Sequence, residues 1–195
     1  PQPALLPVDD LADALEANID SILQVNQRDI EQDKANGTDP IWIRDRIDLE
    51  RRMAGIVADV RKVADLPDPV GRIYEQRENE PGINISKRRV PLGVLGVIYE
   101  SRPNVTVDIS TLALKTGNAV VLRGGSDVLE TNLELVRVLK GALAEAGLPI
   151  DAIQYIASTD RRYVGEMLKL HETIDMIIPR GGPKLHQFCR DNSTI

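Results

Sequence analysis

The sequence predicts an α/β fold built on a parallel sheet, and three observations predict it. From about residue 90 onward, apolar runs such as Val94-Leu95-Gly96-Val97-Ile98 and Ala119-Val120-Val121-Leu122 do not alternate with polar residues. That is the pattern of strands buried on both faces, typical of parallel sheets. Segments with a three-to-four-residue apolar period separate these runs, so strand and helix alternate along the chain. Before about residue 70, only the helical period is present. At 195 residues the chain can bury a core without disulfides or a structural metal.

Taken in order, residues 9–33 carry Leu11, Leu15, Ile19, Ile22 and Leu23 on one stripe, which predicts an amphipathic helix. Asp9 or Asp10 can cap its start, and Asn36-Gly37 ends it. Ile43, Ile47, Ile56, Val60 and Val63 predict a second helix over about 43–64, stopped by Leu66-Pro67-Asp68-Pro69. Two short extended runs, around Ile73–Arg77 and Ile83–Lys87, flank Asn79-Glu80-Pro81-Gly82 and predict a β-hairpin within 70–90. The basic Lys87-Arg88-Arg89 then reads as charge that keeps a strand edge soluble. Strands are expected at 92–99, 119–123, 152–156 and 174–178, with helices near 104–116, 127–146, 160–170 and 183–190. The helix over 127–146 has the clearest stripe, Leu129, Leu133, Val136, Leu139 and Leu143, with Gly147 and Pro149 as stops. The organisation is thus a helical segment over 1–69, the hairpin over 70–90 and the strand–helix region over 91–195.

Composition narrows the function classes. A net charge of -6 with 3% aromatic residues lacks the basic, base-stacking surface of a nucleic-acid binder. No apolar stretch reaches the roughly 18 residues of a membrane span, and no secretory signal is visible, so a cytoplasmic protein is expected. One cysteine and two histidines supply neither a disulfide nor a zinc site, and no metal is expected. The chain opens Pro1-Gln2-Pro3, without methionine, and closes Asp191-Asn192-Ser193-Thr194-Ile195; both ends look cut, but a natural terminus can look the same, so the ends by themselves decide little.

Ligands of parallel sheets collect where strands end and helices begin. Three such junctions stand out: Tyr99-Glu100-Ser101-Arg102-Pro103-Asn104, Arg123-Gly124-Gly125-Ser126-Asp127 and Pro179-Arg180-Gly181-Gly182-Pro183. Two of them pair glycines with an arginine. Glycine admits close backbone approach, helix starts offer free N–H groups, and arginine adds a bidentate charge. A Gly-Gly pair can also simply make a tight turn, but two on one sheet edge favour a phosphate-bearing ligand. The G-x-G-x-x-G dinucleotide fingerprint is absent. Asn104 admits two readings, a helix cap or a side-chain donor to a developing oxyanion. Cys189, with His186 three residues before it and Phe188 beside it, reads as a small buried hydrophobe rather than a nucleophile.

The run from Val90-Pro91-Leu92-Gly93 through Ile98-Tyr99-Glu100-Ser101-Arg102-Pro103-Asn104-Val105-Thr106-Val107-Asp108 closely resembles the γ-glutamyl phosphate reductase family. So do Leu114-Lys115-Thr116-Gly117-Asn118-Ala119-Val120-Val121-Leu122-Arg123-Gly124-Gly125, Ile174-Asp175-Met176-Ile177-Ile178-Pro179-Arg180-Gly181-Gly182 and the closing Cys189–Ile195. The resemblance covers the chain from about residue 70 onward and is looser before it. It implies an aldehyde-dehydrogenase-like fold with a Rossmann-like cofactor region, here truncated before the catalytic domain. It further implies NADPH-dependent reduction of L-glutamyl 5-phosphate to glutamate 5-semialdehyde in proline biosynthesis, by way of a cysteine thioester.

By the same resemblance, Asn104 is the oxyanion asparagine. Arg123, Gly124, Gly125 and Ser126 lie at the adenosine ribose of NADP(H), with Ser126 where NAD-preferring relatives often carry a ribose-binding glutamate. Arg180, Gly181 and Gly182 form the pyrophosphate loop, and the hairpin is an oligomerisation arm. The family's nucleophilic cysteine is absent, Cys189 matching a non-catalytic one. Implied partners are L-glutamyl 5-phosphate, further copies of the chain in a homo-oligomer and glutamate 5-kinase as a functional partner. The competing readings are another acylating aldehyde dehydrogenase and a non-catalytic nucleotide-binding or scaffolding module.

Overall fold

In the computed structural model, which describes residues 8–80 and 82–195, four strands form the expected parallel sheet. They are β3 (Val94–Tyr99), β4 (Ala119–Arg123), β5 (Ile153–Tyr155) and β6 (Met176–Arg180), in the order β5-β4-β3-β6. Strand order reverses beside β3: the chain moves outward through β4 and β5, then returns to place β6 on the other side of β3. Helices α5 (Asn104–Lys115), α6 (Leu129–Glu145), α7 (Arg162–Met167) and α8 (Pro183–Asn192) connect or follow the strands.

Side chains alternate between the two faces of the sheet. Leu95, Val97, Tyr99, Val120 and Leu122 join the larger core with α5, α6 and the N-terminal helices. Ile98, with Val94 and Val121 packed beside it, joins a smaller core holding Val164 and Met167 of α7 and Cys189 of α8. A Cβ on Gly96 would lie 2.8 Å from Met167 Cε and 2.7 Å from Ile177 Cδ1, so glycine there lets these two side chains pack directly on the strand.

The first helical stripe is two helices, α1 (Val8–Ala17) and α2 (Ile19–Ala35), not one over 9–33. Asn18 breaks it: its Nδ2 donates to Ala14 O at 2.8 Å, a local bond that competes with the helix ladder. Asp9 and Asp10 lie within the first turn of α1 rather than at a cap. The helix expected over 43–64 is likewise broken. A short turn α3 (Pro40–Trp42) runs into a π-helical turn at Ile43–Ile47, and α4 (Met53–Asp65) begins only after an extended Asp48. The cause is tertiary. Asn26 of α2, 1% exposed, donates to Ile47 O at 3.0 Å and accepts from Leu49 N at 2.9 Å, satisfying the backbone that the break leaves open. Asn26 also reaches Thr131 Oγ1, whose hydroxyl and backbone N–H both donate to Asp29.

The hairpin forms as expected from β1 (Ile73–Asn79) and β2 (Ile83–Arg88), antiparallel, with Pro81 of its turn outside the described residues. Both its faces are largely exposed. Several core elements differ from expectation at their ends. The first strand starts at Val94 rather than 92, α7 is shorter than 160–170, and β6 starts two residues later than the apolar run. Ile174 is buried but closes the turn after α7 through its N–H to Leu170 O. The strand predicted over 152–156 is limited to Ile153–Tyr155. Among the described residues no helix is long and apolar enough to cross a membrane.

Two stability predictions follow from the buried polar groups. Asn26→Ala strands Ile47 O and Leu49 N in the core and is expected to lower unfolding stability by about 3 kcal/mol, measured by urea denaturation. Asp33 is buried with Oδ2 unpartnered among the described residues, and burial, then Asp127, then Asp29 raise its pKa above the usual 3.8. The folded state therefore holds that proton more tightly than the unfolded chain, and stability is lost as pH rises from about 3.8 through the raised value. Asp33→Asn should be more stable than wild type at pH 7 and lose that advantage below about 3.8; an equal gain at every pH would contradict this cause.

Candidate active site

Parallel pairing sets the site. Ile98 lies beside Arg123 and Tyr99 beside Arg180, so β3, β4 and β6 end at one level and release their loops on one edge. Beneath those loops runs a buried polar chain. Tyr99 OH and Thr106 Oγ1 are 2.6 Å apart, Thr106 Oγ1 lies 2.7 Å from Asn132 Oδ1, and Asn132 Nδ2 donates to Tyr155 OH at 3.0 Å. Burial drives the Tyr99 phenol well above its ordinary pKa, so it stays neutral in this chain.

The glycines at the strand ends answer first to their neighbours. A Cβ on Gly124 would fall 2.5 Å from Asn132 Nδ2, and one on Gly125 2.8 Å from Ser101 Oγ. A Cβ on Gly181 would meet the Glu100 carboxyl at 2.6 Å. Glycine at these positions thus accommodates neighbouring protein atoms before any ligand approaches, and a larger residue would displace Asn132 or Tyr155, Ser101 or Glu100 respectively. Gly182 caps α8, and its N–H donates to Glu100 Oε1 at 2.9 Å; Glu100 Oε2 lies 3.9 Å from Arg46. Part of the anion-binding capacity expected of this helix start is therefore met within the chain.

A cleft of about 520 Å³ opens between the ends of β3 and β4 and helices α7 and α8. Ile98, Val164, Leu185 and Phe188 supply apolar walls, and Arg123, Arg161 and Lys184 supply cations. Arg123, half-buried, donates from Nη1 to Gly124 O at 2.7 Å and from Nη2 to Thr159 O at 3.1 Å, while its buried Nε has no partner among the described residues. Ser126 Oγ lies 3.1 Å from Asp127 Oδ1, and Ser101 Oγ donates to Asp127 Oδ2. The residues that the resemblance assigns to the cofactor end at Ser126; Asp127, the next residue, lines the same cleft and adds a carboxylate to it. Arg161 and Lys184 were also missed. Lys184 follows Pro183 in the first turn of a helix opening at a strand end, which is the signal that marks it.

Asn104 is the first residue of α5, and Pro103 holds the cap position without a side-chain bond, so the cap reading does not describe it. Its Nδ2 donates to Asp108 Oδ2 at 2.9 Å, and its Oδ1 accepts from Arg52 Nη1 at 3.4 Å. Burial raises the pKa of Asp108, a tendency opposed first by the Asn104 bond and then by Arg180. Arg180 and Asn104 thus share one end of the sheet edge, apart from the cleft lining that holds Arg123 and Ser126. Cys189 is 4% exposed among Ile98, Val164, Met167 and Ile174, and burial raises its thiol pKa. A thiol so placed is a poor nucleophile.

Comparison with known proteins agrees with this architecture. The family model described as "Aldehyde dehydrogenase family" matches residues 8–187. The chain is 54% identical over 186 residues to the gamma-glutamyl phosphate reductase of Aeromonas salmonicida, covering 95% of this chain and 44% of that protein. It is 53% identical over 186 residues to the Vibrio vulnificus protein of the same name, with the same coverage. The crystal structure of gamma-glutamyl phosphate reductase from Thermotoga maritima superposes with a TM-score of 0.92 at 40% identity, over 96% of this chain and 45% of that one. The Saccharomyces cerevisiae reductase gives 0.88 at 31% identity, over 96% and 48%. The chain therefore spans less than half the length of these relatives. An α/β sheet of this order, carrying these strand-end loops and matched along nearly its whole length, makes the chain a member of the aldehyde dehydrogenase family.

Proposed function

We propose that this chain is the cofactor-binding part of a γ-glutamyl phosphate reductase, which uses NADPH to convert L-glutamyl 5-phosphate to glutamate 5-semialdehyde and phosphate. The observation that carries the reading is that one sheet edge holds both a cation-rimmed cleft and, apart from it, the Asn104 amide at the start of the helix after β3. The similarity to reductases of that name, at 54% and 53% identity, supports the choice of substrate.

The cleft fits a nucleotide. Its volume lies within the roughly 300–1,000 Å³ usual for small-molecule sites, its walls accept a flat base, and its cations suit phosphates. The unpartnered Arg123 Nε is a donor that the fold leaves unused. In this reading Arg123 and Ser126 hold the adenosine ribose end, Gly124 and Gly125 shape the wall, and Arg180, Gly181 and Gly182 border the pyrophosphate. NADPH supplies the hydride when bound. Within this chain Asn104 Nδ2 donates to the substrate oxygen that gains negative charge, where a fixed donor is worth most. The attacking thiolate is not Cys189, whose thiol is buried, so the nucleophile comes from the part of the reductase outside this segment. Asp127 bears on cofactor choice: both serine hydroxyls donate to it, which tempers its repulsion of a 2′-phosphate. The hairpin, with Ile73, Tyr74 and Ile83 exposed, serves as the arm by which copies assemble.

Two measurements on the full-length protein test the reading. Asn104→Ala should lower kcat by on the order of 10² while leaving cofactor binding and thermal stability nearly unchanged; a normal kcat would remove the donor role. Arg123→Ala should weaken NADPH binding by about ten- to a hundredfold, as the loss of a charge-assisted bond predicts, and NADH binding much less. Equal losses for both cofactors in a titration would assign Arg123 to holding the Thr159 loop instead.

A further inference from the structure

We infer that Arg52 is a positioning residue that sets the orientation of the Asn104 amide. The inference rests on the reading of Asn104 as oxyanion donor and adds the group on which that donor depends.

Arg52 immediately precedes α4, in the break that replaces the expected continuous helix. Its guanidinium is held to the backbone on one side: Nε donates to Asp48 O and Nη2 to Arg46 O, both at 2.8 Å. On the other side Nη1 faces Asn104 Oδ1 at 3.4 Å. Arg52 forms no ion pair among the described residues, so its committed partners are two carbonyls and one amide oxygen. The carbonyls are fixed in turn, because Asn26 clamps Ile47 O, between them, and Leu49 N, just after Asp48.

A side-chain amide can sit either way round, and its neighbours decide. A guanidinium only donates and an ionised carboxylate only accepts. With Arg52 on one side and Asp108 on the other, Oδ1 must face Arg52 and Nδ2 must face Asp108. The flipped amide would set N–H against guanidinium N–H and oxygen against carboxylate oxygen. In the held orientation one Nδ2 hydrogen goes to Asp108, and the second is left for an acceptor outside the chain. Without Arg52 the amide oxygen loses its partner and the flipped amide no longer sets N–H against a guanidinium, so only the Asp108 bond holds the orientation and the amide spends less time with Nδ2 placed to donate.

A double-mutant cycle on the full-length protein tests this, with turnover followed as phosphate-dependent reduction of NADP+ by glutamate 5-semialdehyde. Arg52→Met should lower kcat about tenfold and leave KM for both substrates within about twofold, the split expected of a group acting only in the transition state. Arg52→Met combined with Asn104→Ala should be no slower than Asn104→Ala alone, since Arg52 acts through that amide. If the losses multiply, Arg52 acts independently and the inference is overturned. It is equally overturned if Arg52→Met keeps normal kcat while Asn104→Ala is slow, which leaves the oxyanion reading standing. A normal kcat for Asn104→Ala overturns the oxyanion reading itself, and this inference with it. Thermal unfolding checks that each variant is folded. If Arg52→Met fails that check, Arg52→Lys enters the same cycle: it keeps the charge but cannot hold two carbonyls and the amide together, so a smaller kcat loss, again absorbed by Asn104→Ala, is expected.

Discussion

The parallel register of β3 with β4 and β6 is the constraint on which the site depends. It sets Ile98 beside Arg123 and Tyr99 beside Arg180, so three loops distant in sequence leave the sheet at the same height. A shift by one residue would exchange the two faces of a strand, sending Val97 and Tyr99 toward the smaller core and Ile98 toward the larger. Burial on both faces makes such a shift costly, and the buried chain from Tyr99 through Thr106 and Asn132 to Tyr155 adds hydrogen bonds that only one register satisfies. The precision of the strand ends is thus a property of the core beneath them.

Above that core, the loops fasten to one another. Glycines 124, 125 and 181 give way to neighbouring side chains, Ser101 reaches across to Asp127, and Glu100 accepts the N–H of Gly182. These contacts use the same features, glycine and helix starts, that bind phosphate elsewhere. What the loops leave open is the cleft beside Arg123, Arg161 and Lys184, where cations stand against apolar walls. Carboxylates at its margin are already engaged by hydroxyl or N–H donors, which lessens their opposition to an anionic ligand.

The helical layer contributes through its interruptions. Had residues 43–64 formed one helix, Arg52 would lie mid-helix and Asp48 O would be committed to the helix ladder. Instead Asn26 stabilises the break, Arg52 gathers the freed carbonyls, and its remaining donor meets Asn104. A buried asparagine in one helix therefore bears on an amide at the sheet edge through a chain of explicit hydrogen bonds.

Local sequence determined what depends on short-range periodicity and turn chemistry. Apolar runs placed β4 at 119–123 and marked the parallel sheet, the helical stripe placed α6, and Asn79-Glu80-Pro81-Gly82 placed the hairpin. Strand-to-helix junctions pointed to Asn104, Arg123 and Arg180, because parallel sheets expose that edge whatever their sequence. Tertiary structure alone decided the rest. The breaks at Asn18 and Asp48, the exchange of roles between the glycines and their neighbours, and the meeting of Arg52 with Asn104 all require partners far apart in the chain. Arg161 and Lys184 join Arg123 only because α7 and α8 pack on the same face of the sheet. Periodicity records which side of an element is buried; it carries no record of which distant polar group will satisfy an open backbone, and that pairing is what shapes this site.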